Sequence, residues 1–150
     1  MEQGRHPRRP PFVKVDFYTP SDGYGFCVEG DLRAHFRIED FVRENAADPL
    51  PICGEPVEAE IVERKDGRYR AVSLRRLTRP QRLWGRVKSF DGNKGWGFIT
   101  SGGETYYLHR SDLIAPFFPV VGLEVTFFSG EKNGRPRACY VTPTGRIDRT

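Results

Sequence analysis

Cysteine is scarce in this chain, with three in 150 residues, at positions 27, 53 and 139. No two are spaced as C-x-x-C, and an odd count cannot close a complete set of disulfides. A disulfide-built secreted scaffold is thereby excluded, and a reducing cytoplasm is the simple inference. Cys27 and Cys139 fall in strand-like runs and are expected to be small buried hydrophobes. Histidine is equally sparse. His6, His35 and His109 are scattered, and no cysteine lies at ligand spacing from any of them, so no metal site is expected. The glycine pair at 102–103 is not followed by G-K-[ST], which removes a phosphate-cradling loop. Nothing pairs a nucleophile with a base in a recognisable context. No catalytic residue, cofactor or small-molecule substrate is therefore expected, and the chain does not read as an enzyme.

Long apolar runs are missing too. No window approaches the ~18 consecutive apolar residues of a membrane span, so no membrane partner is expected. The stretch "MEQGRHPRRPPF" is basic and proline-rich, with none of the apolar core that a secretory signal needs. It reads as a flexible arm over residues 1–10. Helix-period runs long enough for a βαβ unit are absent as well. Only "IEDFVRENAA" allows a turn or two of helix, which "DPLP" would end.

Glycine (16), proline (12) and aromatics (13%) are plentiful beside a hydrophobic share of 37%, which fits many short strands with tight turns. The chain also repeats itself. In the second half the strand candidates are "RLWGRVKSF", "WGFIT", "TYYLHR", "LEVTFFSG" and "PRACYVTPT", with a long crossing, "SDLIAPFFPVVG", between the third and fourth. The first half keeps that order in "PFVKVDFY", "YGFCVE", "LRAHFRI", "PVEAEIVER" and "YRAVSLRRL". Five short strands in this arrangement predict a small closed barrel, twice. The expectation is an all-β chain of two five-stranded antiparallel barrels in tandem, over 11–78 and 82–146.

Charge is unevenly divided. Residues 1–78 carry 13 basic and 14 acidic groups, whereas 79–150 carry 11 and 6. The positive field belongs to the second half, which favours a polyanionic partner. Five arginines between 75 and 86 (Arg75, Arg76, Arg79, Arg82, Arg86) make either a solvated connector or a bridge for backbone phosphates.

Alternation assigns faces. In "KGWGFIT", Trp96 and Phe98 share a face opposite Ile99; in "TYYLHR", Tyr107 and His109 share a face opposite Leu108. With Ile99 and Leu108 inward, Trp96, Phe98, Tyr107 and His109 lie outward together, bordered by Lys88 and Lys94. Gly95 and Gly97 would leave room for a flat ligand at the indole. Exposed rings with basic borders suit unpaired nucleotides, because every base offers a π-face and phosphates find the cations.

These motifs resemble the cold-shock domain, a five-stranded oligonucleotide-binding (OB-fold) barrel whose members carry K-G-F-G-F-I and V-F-V-H-F. "KGWGFI" is similar to the first, with Trp96 for a phenylalanine, and "YYLHR" is more loosely similar to the second. The resemblance runs through "GLEVTFFSGEKNGRPRACYVT", about residues 82–143. It implies that Lys88, Phe90, Trp96, Phe98, Tyr107 and His109 occupy nucleic-acid positions. It also implies departures: Ser89 stands where the family has a tryptophan, and Arg110 where a second ring often follows the histidine. Binding would then lean on phosphate contacts and salt.

The first copy is more distant. "DGYGFCV" places Tyr24 and Phe26 on platform positions with Asp22 for the lysine. Phe17 falls at the family tryptophan, and Asp16 at the other lysine. In one register His35 aligns with Tyr107 and Arg37 with His109; in another His35 equals His109. This copy is either a weaker binder or a structural companion. The reading as a whole is a tandem cold-shock protein that binds single-stranded RNA or DNA with little sequence preference. It would act as a nucleic-acid chaperone or a modulator of transcription or translation. Trp96, Phe98, Tyr107 and Phe90 would stack on bases, His109 would stack or donate a hydrogen bond, and Lys88, Lys94 and Arg110 would meet phosphates. The rival is a protein-interaction module built on drifted barrels. The residues imply no oligomeric state.

Overall fold

Short strands joined by glycine-rich turns can bury their apolar faces only by curling on themselves, and this chain does so twice. The computed structural model describes residues 12–147, so the arm expected over 1–10 lies outside the described residues. The chain divides between Arg79 and Pro80 into two compact units. The first holds β1 (Val13–Thr19), β2 (Tyr24–Glu29), β3 (Leu32–Arg37), β4 (Pro56–Glu63) and β5 (Tyr69–Arg76). The second holds β6 (Arg82–Asp91), β7 (Trp96–Ser101), β8 (Glu104–His109), β9 (Leu123–Lys132) and β10 (Arg135–Ile147).

Each unit is a closed barrel, ordered β1-β2-β3-β5-β4 and, in the same sense, β6-β7-β8-β10-β9. The pairing is not purely antiparallel as expected. β3 runs parallel to β5, and β8 parallel to β10. The reason is one of parity, since a closed ring with an odd number of strands cannot alternate direction all the way round. The helical turns expected after Ile38 are also cut short. A single 3-10 turn covers Ile38–Asp40. The next residues are then taken by the sheet, with Phe41 bridging Leu74 and the Val42 N–H donating to the Leu74 carbonyl at 2.8 Å.

Alternation fills each core. Val13, Val15, Cys27, Ala34, Phe36, Val57, Ala71 and Leu74 point into the first barrel, and Phe41 closes it. Val87, Ile99, Leu108, Leu123, Val125, Phe127, Ala138 and Val141 fill the second. Cys27 and Cys139 are buried, as expected, and burial pushes the Cys27 thiol up to about 12. Among the described residues no helix is long and apolar enough to cross a membrane.

The two copies share one irregularity that matters for the surface. The β1–β2 register shifts between Val15 and Phe17, and the β6–β7 register shifts between Val87 and Ser89. Asp16 and Lys88 are thus the extra residues of matching bulges, which turn a strand's side chains.

Candidate nucleic-acid interface

Strand pairing in the second barrel sets Trp96 opposite His109 and Phe98 opposite Tyr107. Ile99 and Leu108, on the other face of the same strands, are fully buried. The four expected platform residues are therefore brought together on the outside. Trp96 is 37% exposed, and the other three are half-buried against one another. Trp96 and Tyr107 lie nearly parallel at 6.1 Å between ring centres, Tyr107 and His109 at 6.4 Å, and Phe98 stands edge-on to Trp96 at 5.8 Å. Such tilted and offset pairs are the arrangements aromatic quadrupoles favour. The result is a contiguous, partly exposed aromatic face.

Phe90 does not share this register. It lies across from Gly97, which pairs with the buried Leu108, is partly buried against the core, and meets Phe118 edge-on at 5.7 Å. Phe118 is 59% exposed and was not foreseen, because the crossing segment that carries it has no strand or helix period to say which ring faces out. Gly95 and Gly97 serve a different purpose from the one expected. A Cβ on Gly97 would strike the Ser89 carbonyl and come within 2.6 Å of the Phe90 Cα, so this glycine lets β6 and β7 approach. A Cβ on Gly95 would meet the Arg110 guanidinium instead.

The histidine is held by its own turn. The Ser111 N–H donates to His109 Nδ1 at 3.1 Å, which requires that nitrogen to be unprotonated and leaves Nε2–H as the ring's donor. The Asp112 carboxylate accepts the His109 N–H at 3.2 Å and the Arg137 Nε–H at 2.9 Å. Burial raises the Asp112 carboxyl above its usual range, although Arg137 opposes the shift. The Arg137 guanidinium lies 5.6 Å from the Tyr107 ring centre, so one ion pair braces both β8 platform residues. The first barrel repeats the device, with Arg70 on Asp40 at 3.1 Å and the Asp40 carboxylate accepting the Arg37 N–H.

Three cations border the rings. Lys88 is exposed on its bulge, Lys94 is exposed in the β6–β7 turn, and Arg110 is exposed while donating to the Gly92 carbonyl at 3.1 Å. The Asp91 carboxylate accepts the N–H groups of Asn93 and Lys94. Those hydrogen bonds hold it below the usual carboxylate range and fix the turn that presents Lys94. The arginines between 75 and 86 are less available than their sequence suggests. Arg76 is bonded to Glu55 and the Leu50 carbonyl, Arg82 lies over the Phe128 ring, and Arg86 bonds the Gly122 carbonyl.

In the first barrel Tyr24 pairs with Arg37 and Phe26 with His35, which selects the register that equates His35 with Tyr107. Phe17, Tyr24, Phe26 and His35 do form a cluster, with ring centres 5.3–5.6 Å apart for Phe17–Phe26, Tyr24–His35 and Phe26–His35. Burial first, then Arg37, Arg70 and Arg64, hold the His35 imidazole below its ordinary value. This surface differs from its counterpart in one respect that sequence reading missed. The Arg33 guanidinium sits 4.2 Å from the Phe26 ring centre and bonds the Asp16 carboxylate at 2.9 Å. Arg33 shares the outward face of β3 with His35, but its diagonal reach onto Phe26 is a tertiary fact.

No family model matches the chain. It is 42% identical over 78 residues to Cold shock domain-containing protein CG9705 of Drosophila melanogaster, covering 51% of this chain and 48% of that protein. It is 33% identical over 97 residues to human Calcium-regulated heat-stable protein 1, covering 63% and 65%. It is 41% identical over 61 residues to Cold shock-like protein CspD of Bacillus cereus, covering 39% of this chain and 92% of that protein. The match thus spans about half of the first relative's length and under two thirds of the second's. Among solved structures it is similar to drosophila Unr CSD456, with a TM-score of 0.37 and 19% identity over 89% of this chain and 61% of that one.

Proposed function

The chain belongs to the cold-shock domain family as a protein of two such barrels in tandem, and on that premise we propose that its second barrel binds single-stranded RNA or DNA by stacking bases on Trp96, Phe98, Tyr107 and Phe90. One observation carries this reading. Trp96, Phe98, Tyr107 and His109 stand contiguous and outward over a fully buried Ile99 and Leu108, where a protein with no ligand for them would gain by burying them. Each base–ring stack contributes about 1–3 kcal/mol and is indifferent to base identity, so sequence preference is low. His109 offers Nε2–H to a base or sugar oxygen, and Lys88, Lys94 and Arg110 neutralise the phosphates that follow the strand. Contacts that are individually weak and exchangeable hold strands unpaired without cleaving them. That is the work of a nucleic-acid chaperone, with transcription or translation as its setting. Three cysteines, no two spaced as C-x-x-C, fit a reducing compartment such as the cytoplasm.

The test is the affinity of the full chain for labelled oligo(dT) and oligo(U) at near-physiological salt, read by anisotropy. Trp96→Ala with Phe98→Ala should weaken binding about 100-fold, as expected for two lost stacks. An unchanged affinity would overturn the stacking mechanism. A second reading, docking of a protein partner, is favoured by the exposed apolar loop of Ile114, Phe118, Val120 and Val121. It predicts that oligonucleotides bind only at low salt and that this loop, not Trp96, governs partner capture.

A further inference from the structure

The two barrels share three ring positions, with Tyr24, Phe26 and His35 matching Trp96, Phe98 and Tyr107, but not the same access to them. In the second barrel the residue of β8 opposite Thr100 is Thr105, and the bulge residue of β6 is Lys88. The matching places in the first barrel are Arg33, opposite Val28, and Asp16. These two substitutions act together. Asp16 reaches Arg33 Nη1 at 2.9 Å, and the guanidinium so held lies 4.2 Å from the Phe26 ring centre and 5.9 Å from that of Phe17. A guanidinium is planar, keeps its charge at all relevant pH, and stacks on a ring in the place a base would take.

We propose that Asp16 and Arg33 form a latch that closes the Phe26 face of the first barrel to bases, so that these two residues decide which of the tandem barrels takes a single strand. The proposal rests on the stacking reading of the second barrel, and it explains why the first keeps Phe17, Tyr24, Phe26 and His35 without the lysines. Phe26, the ring matching Phe98, is already occupied from within. Asp16 has a double effect, since it anchors the guanidinium and sets a carboxylate where Lys88 would meet a phosphate. Both latch side chains lie on the outer surface, Arg33 at 49% and Asp16 at 27% side-chain exposure, so exchanging them leaves the core untouched.

Two measurements test this on the full chain. In the unmodified protein the Arg33 side-chain protons should resonate upfield through the Phe26 ring current, and should stay there when oligo(dT) shifts the Trp96 signals. Arg33 resonances at random-coil positions, or Phe26 and Arg33 moving with Trp96, would overturn the latch. In a Trp96→Ala, Phe98→Ala background, Asp16→Asn with Arg33→Thr removes one charge of each sign and leaves net charge unchanged. Oligo(dT) affinity should then rise about tenfold. No gain, or a loss that marks Arg33 as a ligand contact, would contradict the proposal. Failure of the second-barrel reading shows separately, as an unaltered affinity when Trp96 and Phe98 alone are replaced.

Discussion

At the scale of single residues, the two histidines on matching surfaces differ in what surrounds them. His109 Nδ1 is occupied by the Ser111 N–H, which leaves Nε2–H as the ring's donor. His35 is partly desolvated and faces Arg37, Arg70 and Arg64, with only Asp40 opposing them, so its pKa is lowered from 6.5. Because the folded value lies below the unfolded one, the contribution of neutral His35 to stability is complete above about 6.5 and is lost as pH falls through the lowered value. Following the imidazole protons by NMR, Arg37→Gln should move the His35 midpoint back toward 6.5. A midpoint that stays in place would remove Arg37 from the causes and leave burial, Arg70 and Arg64. The braced pair Arg137–Asp112 belongs to this scale too, because it ties β10 to the turn that follows β8.

At the scale of elements, the decisive feature is how closely β6 and β7 approach. Gly97 faces the Ser89 carbonyl, so Gly97→Ala forces the strands apart and should cost about 3 kcal/mol or more. Gly103, at φ +83 with nothing within 4 Å, has only its left-handed backbone to strain, and Gly103→Ala should cost about 1 kcal/mol. Urea unfolding followed by tryptophan emission checks both, since Trp84 and Trp96 report on the second barrel alone. Equal costs at the two sites would contradict the close-approach argument. The same elements show what was legible beforehand. Period-two alternation placed Ile99 and Leu108 inward and Trp96, Phe98, Tyr107 and His109 outward, because a half-buried strand has only two faces to choose between. The tight Asn133-Gly134 turn, both residues at positive φ, is likewise written into the sequence. The parallel β3–β5 and β8–β10 pairs were not, because pairing direction depends on the closed ring. Nor were Phe118 over Phe90, Arg33 over Phe26, or the true role of Gly97, all of which are contacts between segments far apart along the chain.

At the scale of the whole molecule, the charge division now has a structural meaning. The second barrel sets three exposed cations, Lys88, Lys94 and Arg110, around its rings, while the first puts Asp16 and Asp22 at the two lysine positions. Three phosphates neutralised on a single strand predict that log affinity falls with log salt at a slope of about −2. A slope near zero would remove the phosphates from the account.

The central claim is that unpaired bases lie against Trp96. It is tested most directly in a Trp84→Phe chain, where Trp96 is the sole tryptophan, by titrating oligo(dT) while oligonucleotide anisotropy reports saturation. The indole emission should be strongly quenched in step with binding, and the remaining emission shielded from acrylamide. Saturable binding that leaves Trp96 emission and acrylamide access unchanged would place the strand elsewhere on the molecule.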